Sequence, residues 1–307
     1  MDSKAPTFVE VLLATYNGEK YLAEQLDSLL AQEDVNISLL VSDDGSSDRT
    51  LEILETYKTL FPEFRLLAGP QNGPQANFFY LLANSRREFI ALCDQDDIWE
   101  TDHLKNSLTR LTPRKPSVTF SSVREFSTEH PGKNRIWPKK IRLNRIENIL
   151  FENPARGCTI VMNRQFIEII INRLPETSIM HDWWIALIGF SYECISAGTK
   201  PEIKYRIHSN NAVGPTPGIL TRSIRLGKIL ATGSIPATTQ VEELYKIHSS
   251  EIVEQNQKAL LNWIRPVSFK ALLKQVFTAT RYRGNPIEEV VLRSTFVWVW
   301  LIGNRRS

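Results

Sequence analysis

From residue 8 to residue 123 the chain alternates two kinds of apolar pattern. Phe8–Thr15, Ile37–Asp43, Phe64–Ala68, Phe89–Cys93 and Val118–Val123 are short β-like runs. Between them, Glu19–Gln32, Ser47–Leu60, Gln75–Ser85 and a segment ending near Leu111 carry helical patterns. Such alternation predicts a parallel, doubly wound α/β sheet with helices on its faces. The chain then changes character. Residues 128–145 are rich in Pro, Lys and Arg and read as a loop. Helices are predicted at Asn144–Phe151, Arg164–Arg173 and His181–Phe190, and strands at Gly157–Asn163, Glu193–Ala197 and Ile203–Ile207. A Pro/Gly-rich stretch, Val213–Gly218, marks a boundary. Beyond it the pattern is helical at about 219–231, 240–264, 268–280 and 287–302. The expected organisation is a catalytic domain over 1–214 and a helical C-terminal region over 215–307.

The strand ends carry the chemistry. The run Glu88-Phe89-Ile90-Ala91-Leu92 leads straight into Asp94-Gln95-Asp96-Asp97. Carboxylates this close repel one another unless a cation sits among them. The carboxyl edge of an open α/β sheet is also where ligands bind. A hard divalent cation bridging a nucleotide diphosphate satisfies both conditions. The competing reading is an acidic helix cap at Asp96 or Asp97. Two further strand ends are polar, Thr15-Tyr16-Asn17-Gly18 and Asp43-Asp44-Gly45-Ser46-Ser47-Asp48, so three loops converge on one edge. The Tyr16 ring can stack on a flat base, and one aspartate of the second loop can accept a pyrimidine N3–H. That favours uracil or thymine. Ser47 and Asp48 also read as helix caps, Gly18 as a turn residue, and Trp99 as a core anchor.

These segments, with His181-Asp182-Trp183-Trp184 and Tyr205-Arg206-Ile207-His208, resemble the inverting family 2 glycosyltransferases of the GT-A fold. The resemblance is to the rhamnosyltransferase-like branch and covers roughly residues 8–214. Each motif is weak alone; together, in the family's order, they are specific. The resemblance implies that Ala14, Thr15, Tyr16, Asn17 and Asp44 bind the nucleoside. It implies that Gln95 contacts the donor, that Asp94 contacts the ribose or the metal, and that Asp96 ligates Mg²⁺ or Mn²⁺. Arg206 would meet the diphosphate, and His208 would be a further metal ligand or a structural histidine. Asp182 would be the general base, and its place near a helix N-terminus suits a charged carboxylate. Gly157, Cys158, Trp183 and Trp184 would face the acceptor. Adjacent helical residues point about 100° apart, so one tryptophan of the pair is expected in the core. Cys158 is expected to be buried and inert. The implied donor is dTDP-L-rhamnose, with UDP-hexoses open, and the implied acceptor is a lipid-linked or growing surface polysaccharide. A nucleotidyltransferase would instead show a Gly-rich basic loop near its first strand, and residues 14–20 carry none. A non-catalytic sugar-nucleotide-binding subunit is the other alternative.

Composition adds limits. The chain has 307 residues, 42% hydrophobic and 23% charged, as expected of a globular protein. Its three cysteines show no metal or disulfide spacing, and its first residues show no signal pattern, so a reducing, cytoplasmic setting is expected. Net charge is +3, but thirteen Lys and Arg face six Asp and Glu after residue 219. A basic helical tail of this kind suits an anionic lipid surface or is simply a solvated face. No nucleic-acid partner is expected. The apolar run Phe296–Ile302, seven residues followed by Gly303-Asn304-Arg305-Arg306, is too short for a bilayer, which needs about 20 residues. It reads as an interfacial helix at the inner membrane face, or as one packed on the catalytic domain or on a second copy.

Overall fold

The computed structural model describes residues 7–128, 132, 134–176, 180–209, 211, 236–264 and 268–306. Its nine-stranded sheet runs β3-β2-β1-β4-β8-β6-β9-β5, with β7 paired to β6. The strands are β1 (Thr7–Thr15), β2 (Val35–Asp43), β3 (Glu63–Ala68), β4 (Phe89–Cys93), β5 (Ile98–Trp99), β6 (Val118–Phe126), β7 (Arg135–Trp137), β8 (Val161–Asn163) and β9 (Ile195–Arg206). The pairs β1–β2, β1–β4, β2–β3 and β6–β9 are parallel, and β8, β7 and β5 run against their neighbours. The sheet is therefore mixed and mostly parallel.

Strand alternation explains the long apolar runs. Leu12, Ile90 and Leu92 enter one core cluster, while Val9, Val11, Leu13, Ala91 and Cys93 enter a second on the opposite face. A strand covered on both faces has no polar side to show. The second face is covered by α1 (Leu22–Leu30), α2 (Thr50–Tyr57) and α4 (His103–Arg110) through Leu22, Leu26, Leu54 and Leu104. The first is covered by α3 (Gly73–Asn84), α5 (Ile146–Phe151), α6 (Arg164–Ile171) and α7 (His181–Ser191).

The C-terminal helices are α8 (Pro236–His248), α9 (Glu254–Ile264), α10 (Phe269–Phe277) and α11 (Pro286–Arg306). Their Val241, Leu244, Leu260, Trp263, Leu272 and Phe296, with Tyr282 of the connection between the last two, join the same core cluster as Leu12 and Trp184. Phe151 meets Trp263, Tyr282 and Phe296 at ring centroid distances of 4.8, 5.4 and 5.3 Å. These helices are thus packed on the body that carries the sheet.

Several local expectations are corrected. Two strands expected within 193–207 are one, β9, which pairs with β6 along its length, the register shifting at a bulge between Ser121 and Val123. The strand expected over Gly157–Asn163 begins as a 3₁₀ turn, Gly157–Thr159, and only Val161–Asn163 pairs. β5 and β7 were hidden in segments read as loop or helix, being two and three residues long. The helix expected over 240–264 is two helices, broken at residues 249–253, where Val253 donates to the Ser191 carbonyl. The helix expected at 219–231 and the boundary at 213–218 lie outside the described residues.

Candidate active site

Register brings the three polar loops together. Thr15 pairs with Asp43, and Leu13 with Cys93, so β1, β2 and β4 end side by side. β9 runs parallel to β6 and ends at the same edge, placing His208 beside the β4 loop. Above these ends lies a cleft of about 1000 Å³, partly open to solvent. Ala14, Thr15, Tyr16, Asp44, Asp94, Gln95, Asp96, Gly157 and Asp182 all line it.

The loops are held by side chain–backbone bonds. The Gln95 amide pairs with the Tyr16 backbone in both directions: Tyr16 N–H donates to Oε1 and Nε2 donates to the Tyr16 carbonyl, each at 2.9 Å. A Cβ on Gly18 would stand 2.3 Å from that Oε1, so the glycine is what lets Gln95 approach. Asp43 accepts from Thr15 Oγ1 at 2.8 Å and from Ser46 N and Oγ at 2.8 and 2.6 Å. Asp44 accepts from the Gln71 and Gly73 amides at 2.7 and 3.0 Å. Both donors sit at positive φ, so that loop is bent to wrap this carboxylate. Asn17 is not at the cleft wall; its side chain accepts from Ser47, and its φ of 48° is one that asparagine tolerates. Asp48 accepts from the Thr50 amide at the start of α2, as its capping character suggested. Tyr16 is 58% exposed, its ring free at the mouth of the cleft.

The carboxylates behave as crowding dictates. Asp94 is pushed up to about 7 by burial and then by the charges of Asp96 and Asp182, with Arg156 pulling the other way. Asp97 is driven well above the usual carboxylate range by burial and then by Asp96 and Asp94. It faces the interior, where Oδ1 accepts from the Arg206 amide at 2.9 Å and Oδ2 has no hydrogen-bond partner. Asp96 Oδ2 lies 2.8 Å from His208 Nε2. Asp94, Asp97 and Cys158 also bring ligand atoms within 4.8 Å of one another. That trio suits a hard cation poorly, because burial and the neighbouring carboxylates hold the Cys158 thiol protonated. Asp94 and Asp96 at the cleft, with the His208 imidazole behind them, form the donor set that fits Mg²⁺ or Mn²⁺. Their mutual repulsion is what such an ion relieves.

The facing wall is built by α7 and the 3₁₀ turn. Asp182 opens α7, and its Oδ1 accepts from the Trp183 amide at 2.6 Å. Burial outweighs the helix dipole and that hydrogen bond, raising its carboxyl to about 6, so it is still mainly ionised at pH 7. Arg156 favours the charged form of both Asp182 and Asp94.

Four expected contacts are redirected. Trp184 is fully buried in the core and cannot meet an acceptor. Trp183 is half-buried against the same core, and its indole N–H is taken by the Ile149 carbonyl. Cys158 is fully buried and does not line the cleft. Arg206 is 2% exposed: its guanidinium reaches Glu24 at 2.6 Å and the Asp96 carbonyl at 2.8 Å, stacked over Tyr21 and Phe126. It braces the Asp96 loop from behind. The residues missed by the sequence reading are Arg156 and His181. Arg156 is the one Lys or Arg among the described residues lining the cleft, and it stacks on Trp137 and Tyr205 at 4.4 and 4.5 Å. Its signal was a lone charge in the small, apolar run Ala155-Arg156-Gly157-Cys158. The His181 ring stacks on Phe78 at 4.1 Å with both nitrogens unpartnered, and burial lowers it to about 3. A Cβ on Gly157 would lie 2.9 Å from His181 Nε2, so glycine keeps this corner open.

Comparison with known proteins places the site in context. The dTDP-rhamnosyl transferase RfbG of Shigella flexneri is 30% identical over 233 residues, 71% of this chain and 78% of that protein. The UDP-Glc:alpha-D-GlcNAc-diphosphoundecaprenol beta-1,3-glucosyltransferase WfgD of Escherichia coli is 28% identical over 166 residues, 52% of this chain and 61% of that protein. Among solved structures, the mannosyltransferase PcManGT from Pyrobaculum calidifontis, in complex with GDP-Man and Mn²⁺, has a TM-score of 0.54 at 16% identity. That match covers 97% of this chain and 87% of the other, and it supports the GT-A fold. The model of the family described as Glycosyl transferase family 2 matches residues 10–169, just over half the chain and including every donor-side loop before β9, and the chain belongs to that family.

Proposed function

We propose that this glycosyltransferase moves L-rhamnose from dTDP-L-rhamnose to a hydroxyl of a lipid-linked or growing cell-surface polysaccharide, with inversion at the anomeric carbon. The observation that carries the reading is the pairing of opposite walls. Asp94 and Asp96 end the β4 loop, Asp182 opens α7 across the cleft, and the two sides are close enough for Asp182 to raise Asp94.

The Tyr16 ring supplies a stacking face for the thymine, and Asp44 a carboxylate toward its N3–H. Asp94, Asp96 and His208 would hold the divalent ion, which supplies positive charge to the departing diphosphate. Asp182 takes the proton of the acceptor hydroxyl. The oxygen then forms its bond to the anomeric carbon as the bond to the diphosphate oxygen breaks on the opposite face. His181, held neutral, offers an unspent ring nitrogen to a substrate hydroxyl, and Arg156 keeps Asp182 charged.

Similarity to RfbG supports the dTDP-rhamnose donor. Similarity to WfgD, whose name carries a UDP-glucose donor and a diphosphoundecaprenol-linked acceptor, supports the second reading, a UDP-hexose transferase. The membrane side of the proposal rests on α10 and α11. Phe277, Ile287, Val290, Val291, Trp298 and Leu301 are exposed there, with Lys270 and Lys274 on α10. The α11 residues recur at three- and four-residue spacing, one stripe of the helix. No helix of the described residues is long and apolar enough to cross a membrane.

The test is thermal unfolding with dTDP, UDP, GDP or CDP, each with Mn²⁺ and then with EDTA. A ligand at 100 times its dissociation constant adds about 2.7 kcal/mol. Metal-dependent stabilisation by dTDP, followed by turnover of dTDP-L-rhamnose, is the expected result. Stabilisation by UDP alone selects the second reading. No shift with any nucleotide sinks both.

A further inference from the structure

A second cleft, about 1120 Å³ and open to solvent, lies behind the acceptor wall. Its charge is one-sided. Arg135, Lys139, Lys140 and Arg142 line it, against the single carboxylate of Glu152. Glu152 is engaged by the Gly284 amide at 2.7 Å. Among the described residues neither Lys139 nor Lys140 has an ion-pair partner, and both are exposed. Arg142 spends one nitrogen on the Arg283 carbonyl and, among the described residues, meets no carboxylate. Three cations without a carboxylate partner among the described residues, and Arg135 held by Glu125, are thus gathered around a hollow, an arrangement that attracts an anion.

This cleft and the active site share a wall. Asn153 lines the second cleft, and its side chain reaches Asp182 and favours its charged form. Trp137 lines it too, with the Arg156 guanidinium 4.4 Å from the ring on the active-site side. Glu125, buried between them, pairs with Arg135 at 2.9 Å and with Arg156 at 3.1 Å. An acceptor whose hydroxyl reaches Asp182 therefore has a cationic hollow within a side chain's width. The rim is completed by Gly284 and Asn285, and Ile287, two residues on, is 72% exposed at the start of the apolar stripe of α11.

The geometry points to this cleft as the subsite for a diphosphate carried by the acceptor, with its hydrocarbon leaving along α11. The inference rests on the reading of Asp182 as the residue facing the acceptor. It commits to an acceptor class, a prenyl-diphosphate-linked glycan, rather than a neutral sugar.

The probe is geranyl diphosphate, titrated into the full chain in EDTA so that metal-assisted binding of a diphosphate in the donor cleft is disabled. Geraniol, inorganic diphosphate and phosphatidylglycerol vesicles are run beside it. The variants are Lys139→Ala/Lys140→Ala and Asp96→Asn, and dTDP and UDP binding with Mn²⁺ is measured on each. The double variant is expected to bind geranyl diphosphate at least about tenfold more weakly while keeping wild-type binding of the preferred nucleotide; Asp96→Asn is expected to do the reverse. The same lysine dependence with inorganic diphosphate supports the subsite as well. Wild-type binding by the double variant overturns it, as does equal binding of geraniol, or loss confined to Asp96→Asn. Loss of vesicle binding alone also overturns it, showing the lysines to be a membrane contact. Failure of metal-dependent nucleotide binding in the wild type would instead strike the donor reading.

Discussion

The two walls of the active-site cleft are made differently. On the donor side, the loops are already tied by side chain–backbone bonds: at the wall Gln95 to Tyr16 and Asp44 to Gln71 and Gly73, and behind it Asp43 to Ser46 and Asn17 to Ser47. On the acceptor wall, the polar groups are few and only partly spent. His181 has two unpartnered nitrogens, and Arg156 keeps Nε unpartnered while its Nη2 pairs with Glu125 at 3.1 Å. The first wall is organised before any ligand arrives, which lowers the ordering cost of binding a nucleotide. The second keeps buried hydrogen-bonding capacity in reserve, and that costs stability until a substrate satisfies it.

The largest effect expected from breaking this contrast comes from Asp182. Replacing it by Asn keeps the shape of the acceptor wall and removes the base. We expect kcat to fall by roughly 10²–10⁴-fold. Metal-dependent nucleotide binding should be unchanged, because no donor-wall bond is touched. Turnover at the wild-type rate would remove the base assignment. Equal loss of nucleotide binding would mean the two walls are not separable.

The next effect is on pH. Asp182 has its carboxyl raised to about 6, so the rate should fall as pH drops through that value. The stability sign is opposite. The folded form holds this proton more tightly than the unfolded chain, so its contribution to stability is lost as pH rises from about 4 to 6. In EDTA, Asp182→Asn should therefore be more stable than wild type above pH 6, by on the order of 1–2 kcal/mol. Arg156 pulls in the other direction, favouring the ionised form. Arg156→Met should move the acid limb of kcat/KM upward by roughly half a unit to one unit. A limb that stays in place would mean that Arg156 acts on the substrate and not on the base.

The same contrast explains what the sequence disclosed. The donor wall was legible because it is local. Each loop follows an apolar run directly, and the turn residues Gly18, Gly45 and Asp48 stand beside the groups they position. The acceptor wall was less so. Asp182 and Gly157 were named from motif order, yet Arg156, beside Gly157, was passed over because its partners Glu125, Tyr205 and Asp182 come from distant elements, which no local pattern encodes. Arg206 misled for a related reason. Strand alternation gives a face but not what covers it, and the cover here is Tyr21, Phe126 and Glu24. Trp183 and Trp184 read alike in sequence and are separated only by helix phase. The short strands β5 and β7 carry too few residues for any period to appear.

The smallest effect tests whether the donor wall is pre-organised in the sense argued above. Gln95 was expected to contact the nucleotide, but its amide is occupied by both polar groups of the Tyr16 backbone. If it serves to hold that loop, Gln95→Ala should cost about 1 kcal/mol in denaturant unfolding, the net worth of exposed hydrogen bonds to backbone. Nucleotide affinity should then fall only about three- to tenfold, because the Tyr16 ring remains but must be ordered at the moment of binding. The two losses should appear together and kcat should hold. A larger drop in affinity with unchanged unfolding would mean that Gln95 leaves Tyr16 and turns to the nucleotide when the cleft fills. The donor wall would then resemble the acceptor wall, with bonding capacity released by the substrate and not fixed beforehand.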